Sequence, residues 1–314
     1  MAIRLLSALN AYLVTENSPM ERSFVMDFLS YYSANVLVDN SSELWAIEIL
    51  GGSLRAKADS DLVVAVTGEC SLTINGKKAP LWQALFVPEE SRIEIKCNND
   101  SVAYLTICGT LHSASIMKKP LEKDYEIKVA TEVNVKNFLD ELPARRIPSQ
   151  VLSEFKDGTL RVLFNEEHGT QPLTFKVVGK NLRVGVVLEP LDDHLNLKLN
   201  GLSGAVSASP GSLVKLESGK VAISLNHRSL SGTALGRLHP CDLDKVARVK
   251  RGSQVEVVGV THVRYAKIYR NYVDLLERIK GSVDKAVEAL RRGAKFVRIK
   301  VGDMFYEAWV EEVS

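Results

Sequence analysis

The feature that most limits what this chain can fold into is a repeated succession of short, β-branched segments closed by glycine, asparagine or proline. Between Ala46 and Gly109 they are Leu62–Thr67, Ser71–Ile74, Arg92–Cys97 and Val102–Cys108. A second series holds Thr159–Phe164, Leu173–Val178, Leu182–Leu188, Leu195–Leu199, Ser212–Leu216, Val221–Leu225 and Gln254–Val260. Many short strands at close spacing point to barrel-like or sandwich packing rather than to βαβ units. Asn75-Gly76 is the strongest hairpin signal, because both residues tolerate positive φ.

Helical spacing is confined to a few places. Phe24, Val25, Phe28, Leu29, Tyr32 and Val36 recur every three or four residues between Met20 and Asn40, which predicts one helix ended by Asn40-Ser41-Ser42. A short helix is predicted over Val135–Leu142, stopped by Pro143, in a charged stretch that separates the two β series. Val263–Ile279 and Ser282–Arg292 read as two further helices, with Ser282 as N-cap and Gly293 just past the end. Phe296–Val301 and Met304–Val310 read as a hairpin through Gly302-Asp303, and the opening MAIRLLSALNAYLV as a first strand or turn rather than a signal peptide. The expectation is a mainly β protein with a few helices. Its domains are expected at 1–125 and 126–262, with a helical tail and hairpin over 263–314.

Composition narrows the function. The 40 basic and 38 acidic side chains leave a net charge of +2, too small for phosphate neutralisation, so no nucleic-acid partner is expected. No apolar run approaches the roughly 20 residues that span a bilayer, and no membrane association is expected. Four cysteines lie far apart without a CxxC pair, which suggests reduced thiols and a cytoplasmic location. His239-Pro240-Cys241 supplies two metal-capable side chains where structural zinc needs four, so a turn is expected there and no metal.

Several stretches resemble one family in order along the chain. Met26-Asp27 with Ala34-Asn35-Val36-Leu37-Val38-Asp39-Asn40 is similar to its helix beginning Met-Asp and ending Ala-Asn-Leu-Leu-Val-Gly-Asn, and Ile47-Glu48-Ile49 to its following Leu-Glu strand. Val66-Thr67-Gly68, Asn75-Gly76, Pro80-Leu81-Trp82, Tyr104-Leu105, Asp193 to Gly201, Arg228 with Gly232, and Asp242-Leu243 resemble further positions. The family is that of the C-type subunit of 5-oxoprolinase and the carboxyltransferase part of urea amidolyase (allophanate hydrolase subunit 2, KipA-like). The resemblance implies two cyclophilin-like β-barrel domains. It also implies a non-autonomous subunit of an ATP-dependent lactam- or amide-processing enzyme, which converts 5-oxo-L-proline to L-glutamate. The implied partners are a sister cyclophilin-like subunit of the B type and a larger catalytic subunit of the A type. The chain has no GxxxxGK[ST] loop, so ATP is expected through the complex. The family's Gly-Arg, Gly-Ser-Arg-x-Thr and Gly-Gly-Tyr elements are missing, which keeps two alternatives: a non-catalytic paralogue acting as a binding or regulatory module, and a biotin-dependent carboxyltransferase component whose biotin sits on another chain.

Within that frame Asp27, Glu48 and Arg228 are the candidate catalytic residues. A carboxylate at a helix start can hold a proton near an amide, or simply favour the helix dipole. Glu48 in AIEIL points away from Ile47 and Ile49, a position that by itself reads as solvent-facing. Arg228 has a planar fork suited to a carboxylate or to carboxylated biotin. Asn35, His227 and Gly232 are the candidate substrate-binding positions: an amide that can orient a carbonyl, a proton carrier where the family has an acid, and a loop glycine.

Overall fold

The structure, a computed structural model, describes residues 1–16, 18–20, 24–40, 44–111, 118–130, 138–153, 158–165, 172–191, 204–302 and 304–311. The chain is mainly β with a few helices and divides into two compact units. One comprises Met1–Asn17, Leu29–Lys156 and Asp274–Ser314; the other comprises Ser18–Phe28 and Asp157–Val273.

The first unit is built on β1 (Ala2–Thr15), β2 (Trp45–Ala58), β3 (Leu62–Gly68), β4 (Ser71–Ile74), β5 (Lys77–Lys78), β6 (Ala84–Val87), β7 (Arg92–Lys96), β8 (Val102–Ile107), β9 (Thr110–Leu111), β10 (Lys118–Pro120) and β11 (Glu126–Ala130). The order β5-β4-β7-β2-β1-β11-β9 is extended by β8, which pairs with both β2 and β3, by β6 on β3 and by β10 on β1. β2 changes neighbours midway: Ile47–Leu50 pair with β8 and Ser53–Lys57 with β7. Gly51-Gly52 mark the change, because a Cβ at Gly52 would lie 1.9 Å from the Leu9 carbonyl oxygen. The β1–β2 pair is irregular twice, with an extra residue in β1 between Leu5 and Ser7 and extra residues in β2 opposite Leu9–Ala11, and such bulges bend a strand pair. Alternation then sends Ile47, Ile49, Leu62, Val64, Val66, Ala103, Leu105 and Ile107 into one core.

The second unit contains β12 (Thr159–Phe164), β13 (Leu173–Asn181), β14 (Gly185–Pro190), β15 (Gly204–Ala208), β16 (Ser212–Lys215), β17 (Val221–Ser224), β18 (Arg228–Leu238) and β19 (Gln254–Gly259). The order β12-β19-β13-β14-β17-β16-β18 closes on itself through the β12–β18 pairing, so these strands form a barrel without open edges. β15 pairs with the first half of β18, outside the ring. The remaining pair, β20 (Lys295–Val301) and β21 (Met304–Val310), is the expected hairpin, with Val301 opposite Met304.

Helices depart further from expectation. α1 covers only Phe28–Leu37, so Phe24 and Val25 precede it. It ends where Asp39 takes φ 63° and the Asp39 and Asn40 amides turn back to the Val36 and Asn35 carbonyls, a Schellman closure. α2 (Ser149–Ser153) and α3 (Leu243–Arg248) are short. The two helices predicted near the C-terminus are one, α4 (His262–Arg291). Ser282 caps nothing; its hydroxyl donates to the Ile279 carbonyl within the helix. Gly293 ends α4 as expected, with φ 91° and a second Schellman closure onto Leu290 and Ala289. Leu182, expected in a strand, lies in the β13–β14 turn, fixed by the Arg183 amide donating to Asn181 Oδ1. The strand expected at Leu195–Leu199 lies outside the described residues, as do residues 135–137 of the helix expected at Val135–Leu142; Phe138 and Leu139 are helical and residues 140–142 form a turn.

The units also cut the chain differently from the expected 125/126 and 262/263. β11, beginning at Glu126, pairs with β1 through Ala2 and Lys128, so the first unit runs on past 125. Long-range strand pairing decides this, and composition carries no trace of it.

Candidate functional site

Two buried polar clusters surround the acids singled out in the sequence, one in each unit. The first follows from the sheet's alternation. Glu48, Thr67, Tyr104 and Thr106 point away from the core of the first unit, and in an isolated sheet they would meet water. Here α1 covers that face. The Thr67 hydroxyl donates to the Ser30 carbonyl at 2.6 Å, and the Tyr31 ring meets the Tyr104 ring edge-on at 5.8 Å. Glu48 is consequently 0% exposed, which corrects the solvent-facing reading of its position.

A carboxylate removed from water requires charge-assisted partners. The Tyr104 hydroxyl donates to Glu48 Oε1 at 2.8 Å and the Lys118 ammonium donates to Oε2 at 2.7 Å. Register makes this possible, because Glu48 stands directly opposite Tyr12 on β1 and Tyr104 on β8. Lys118, on β10, also lies 5.0 Å from the Tyr12 ring centre. Its side chain is a quarter exposed, so the cluster is reached from the lysine side. Burial pushes the Tyr31 phenol well above the usual tyrosine range, and the Glu48 charge adds to the shift. A buried carboxylate between an ammonium and a phenol can exchange a proton and can present donors to a developing negative charge.

The second cluster is in the other unit. Asp27, 2% exposed, accepts two hydrogen bonds from Arg248 in a bidentate pair, Nε to Oδ2 and Nη2 to Oδ1, both 2.9 Å. Asp244, also 2% exposed, accepts from the Phe28 amide at 2.8 Å and from the Tyr272 hydroxyl at 2.5 Å. The first amide of α1 is thus satisfied by a residue 216 positions away. Burial opposes the charge on Arg248, yet the Asp27 and Asp244 carboxylates hold its ionisation above the ordinary arginine value. The fork that meets Asp27 belongs to Arg248, a residue with no sequence signal.

Of the other candidates, Arg228 opens β18 opposite Ala208 and is exposed; His227 precedes it and is also exposed. Gly232 is buried four residues further along the same strand, and a Cβ there would sit 2.1 Å from the Lys215 carbonyl oxygen. That close approach gives Gly232 a backbone role. Asn35 is 0% exposed; its amide donates to the Tyr31 carbonyl at 3.0 Å and its oxygen accepts from the Trp45 amide at 3.2 Å, tying α1 to β2. Glu48 and Asn35 belong to the first unit; Asp27, His227, Arg228 and Gly232 belong to the second. Sequence reasoning missed Tyr31, Lys118, Arg248, Asp244 and Tyr272. Tyr104 enters it only through the resemblance. His239, 0% exposed, accepts from the Cys241 amide through Nδ1 at 3.2 Å and so forms a turn.

Residues 20–258 match the family described as carboxyltransferase domain, subdomain A and B. No curated protein matches by sequence. The crystal structure of the K. lactis urea amidolyase is similar at 18% identity over 88% of this chain and 20% of that one, with a TM-score of 0.68. Kluyveromyces lactis urea carboxylase is similar at 18% identity over 90% of this chain and 29% of that one, also at 0.68. The protein TTHA0988 shares 18% identity over 83% of this chain and 55% of its own length, at 0.57. This chain therefore spans from a fifth to just over half of each of these proteins. At such identity the likeness is one of fold, and it agrees with the cyclophilin-like carboxyltransferase architecture implied by the ordered motifs. With the family match running through most of the chain, this protein belongs to the carboxyltransferase domain family of subdomains A and B, as a divergent member.

Proposed function

We propose that this protein is a non-autonomous component of an ATP-dependent enzyme that opens an amide or lactam, with 5-oxo-L-proline as substrate and L-glutamate as product. The observation that carries the reading is the Glu48 cluster, a carboxylate withdrawn from water yet flanked by the Lys118 ammonium and the Tyr104 phenol. Lactam opening needs a base to take a proton from the attacking water and donors to stabilise charge on the carbonyl oxygen. Glu48 serves as the base, and Lys118 and Tyr104 as the donors. Arg228, exposed at the start of β18 in the other unit, carries a planar fork suited to binding a carboxylate. Asp27 positions Arg248. A larger catalytic partner handles ATP, and a sister cyclophilin-like partner completes the assembly; the small share of the related chains that this one covers supports such a division of labour.

The test is reconstitution with the candidate sister subunits, measuring 5-oxoproline-dependent ATP hydrolysis and glutamate release. Glu48→Gln is expected to lower kcat by at least about 100-fold, the usual contribution of a positioned acid or base. Full activity without this chain would sink the proposal. The bidentate engagement of Asp27 by Arg248 favours a second reading, a binding or regulatory module without chemistry. In that case the complex assembles and Glu48→Gln leaves its activity unchanged. The family description favours a third, carboxyl transfer from biotin on a separate carrier. That reading requires carboxybiotin-dependent transfer to an amide such as urea.

A further inference from the structure

We propose that Cys70 and Cys97 form a reversible dithiol–disulfide site in the first unit, oxidised by a hydroperoxide. The four cysteines are scattered in sequence, but strand register brings two of them together. β4 and β7 pair with Ser71 opposite Lys96 and Leu72 opposite Ile95. One step further along the same register sets Cys70 opposite Cys97. Directly opposed residues of an antiparallel ladder have Cα atoms about 4.5–5.5 Å apart. A disulfide requires about 4.4–6.8 Å. Cys70 is also the largest influence on the Cys97 thiol, in keeping with two neighbouring sulfurs.

The backbone around the pair is fixed. The Cys97 amide donates to the Gly52 carbonyl at 2.8 Å, and the Glu69 amide, just before Cys70, to the Val102 carbonyl at 2.9 Å. Access separates these two from the others: Cys70 and Cys97 are half-buried, whereas Cys108 and Cys241 are buried. The neighbouring Cys70 thiol, together with burial, pushes the Cys97 thiol up, which disfavours Cys97 as the first sulfur to react.

The chemistry balances with peroxide as the oxidant. Cys70 sulfur attacks one peroxide oxygen; an S–O bond forms, the O–O bond breaks, and the departing hydroxide takes the thiol proton and leaves as water. Cys97 sulfur then attacks the Cys70 sulfenic acid; the S–S bond forms, the S–O bond breaks, and the Cys97 proton leaves with hydroxide as a second water. The two sulfurs together lose two electrons, which reduce the peroxide.

The experiment treats the full-length chain with hydrogen peroxide, quenches with catalase, alkylates with iodoacetamide and maps peptides without reduction. The expected result is a Cys70–Cys97 linked peptide, loss of two of the four alkylatable thiols, and their return with dithiothreitol. Cys97→Ser should leave Cys70 as a sulfenic acid that dimedone captures, while Cys70→Ser should leave Cys97 alkylatable. Four thiols still alkylated after excess peroxide would overturn the proposal, as would sulfinic acid without a cross-link, or cross-links through Cys108, Cys241 or a second chain. The wild-type map is decisive even if a serine variant fails to fold.

Discussion

Replacing Arg248 by Met keeps most of the side-chain volume and removes the charge, leaving the Asp27 carboxylate, 2% exposed, without its bidentate partner. Breaking a buried ion pair from one side costs about 3–5 kcal/mol. The Arg248 side chain is 32% exposed, so water can reach the vacated position, and the lower figure of about 3 kcal/mol applies. At 1.4 kcal/mol per decade this is a change on the order of 100-fold in the opening equilibrium. A chain of two units need not unfold in one step, so a global melt is the wrong assay. Trp45, Trp82 and Trp309 all belong to the first unit, and tryptophan fluorescence would report on that unit. Amide hydrogen exchange by mass spectrometry resolves the difference. Peptides from α3 and from around Asp27 should exchange on the order of 100-fold faster in Arg248→Met, while β2 and β8 peptides keep the wild-type rate. The double variant Asp27→Asn with Arg248→Met should recover part of the loss, because no unpaired charge remains buried. If the two single effects simply add in the double variant, or if Arg248→Met exchanges as wild type, the pair does not stabilise this unit and the argument fails.

Three other consequences are open to measurement. Lys118→Met should destabilise the first unit by about 2–3 kcal/mol in urea titrations followed by tryptophan fluorescence, since a hydrogen bond to a buried charge is lost, and Tyr104→Phe by about 1–2 kcal/mol; equal, negligible effects would mean Glu48 is satisfied elsewhere. Glu141, 12% exposed, is raised by burial but held below the ordinary carboxylate value by hydrogen bonds from Arg145 and Arg291. A depressed folded value means stability that is full above the unfolded value and is lost as pH falls through the folded one. The gap between wild type and Glu141→Gln should therefore stay level above about pH 5 and narrow below about pH 4, and a gap that persists to pH 3 would contradict it. Gly232→Ala should cost about 2–3 kcal/mol through overpacking against the Lys215 carbonyl, seen as faster exchange in β16 and β18; a stable variant with altered ligand affinity would instead restore the substrate-binding role.

Local rules recovered what is local. β-branched alternation located β3, β4, β7, β8, β12, β13, β14, β16, β17 and β19 but passed over β6, β11, β15 and β18, Asn75-Gly76 made its hairpin with φ 51° and 76°, and Gly293 closed α4. The misses share a cause. The helical spacing of Phe24 and Val25 continues upstream of α1, but the chain there is held by Asp27 on Arg248 and by the Phe28 amide on Asp244, so the helix starts later than its periodicity suggests. Ser282 has the chemistry of a cap, but the helix on both sides of it carries a continuous buried stripe, Tyr272, Leu275, Leu276, Ile279, Val283, Ala286 and Val287, and burial outweighs a local stop signal. The meeting of Cys70 and Cys97 depends on register across two strands, which spacing in sequence does not encode.

Glu48 shows most clearly why the candidate site was harder to read than the fold. The alternation correctly sends its side chain to the face opposite Ile47 and Ile49. What it cannot say is what covers that face, and the usual default for an outward acid on a strand is water. Once α1 lies over the sheet, the same alternation has a different meaning: it gathers Glu48, Thr67, Tyr104 and Thr106 beneath a helix, where each polar group requires a partner. Their partners come from α1, β2 and β10, all distant in sequence. A carboxylate, a phenol and an ammonium meet at short range because a solvent-type pattern has been roofed over. In a sheet of this kind, the outward face of strands beneath a helix is therefore as strong a place to look for chemistry as the loops, and the motif gaps in the loops of this divergent chain leave that face intact.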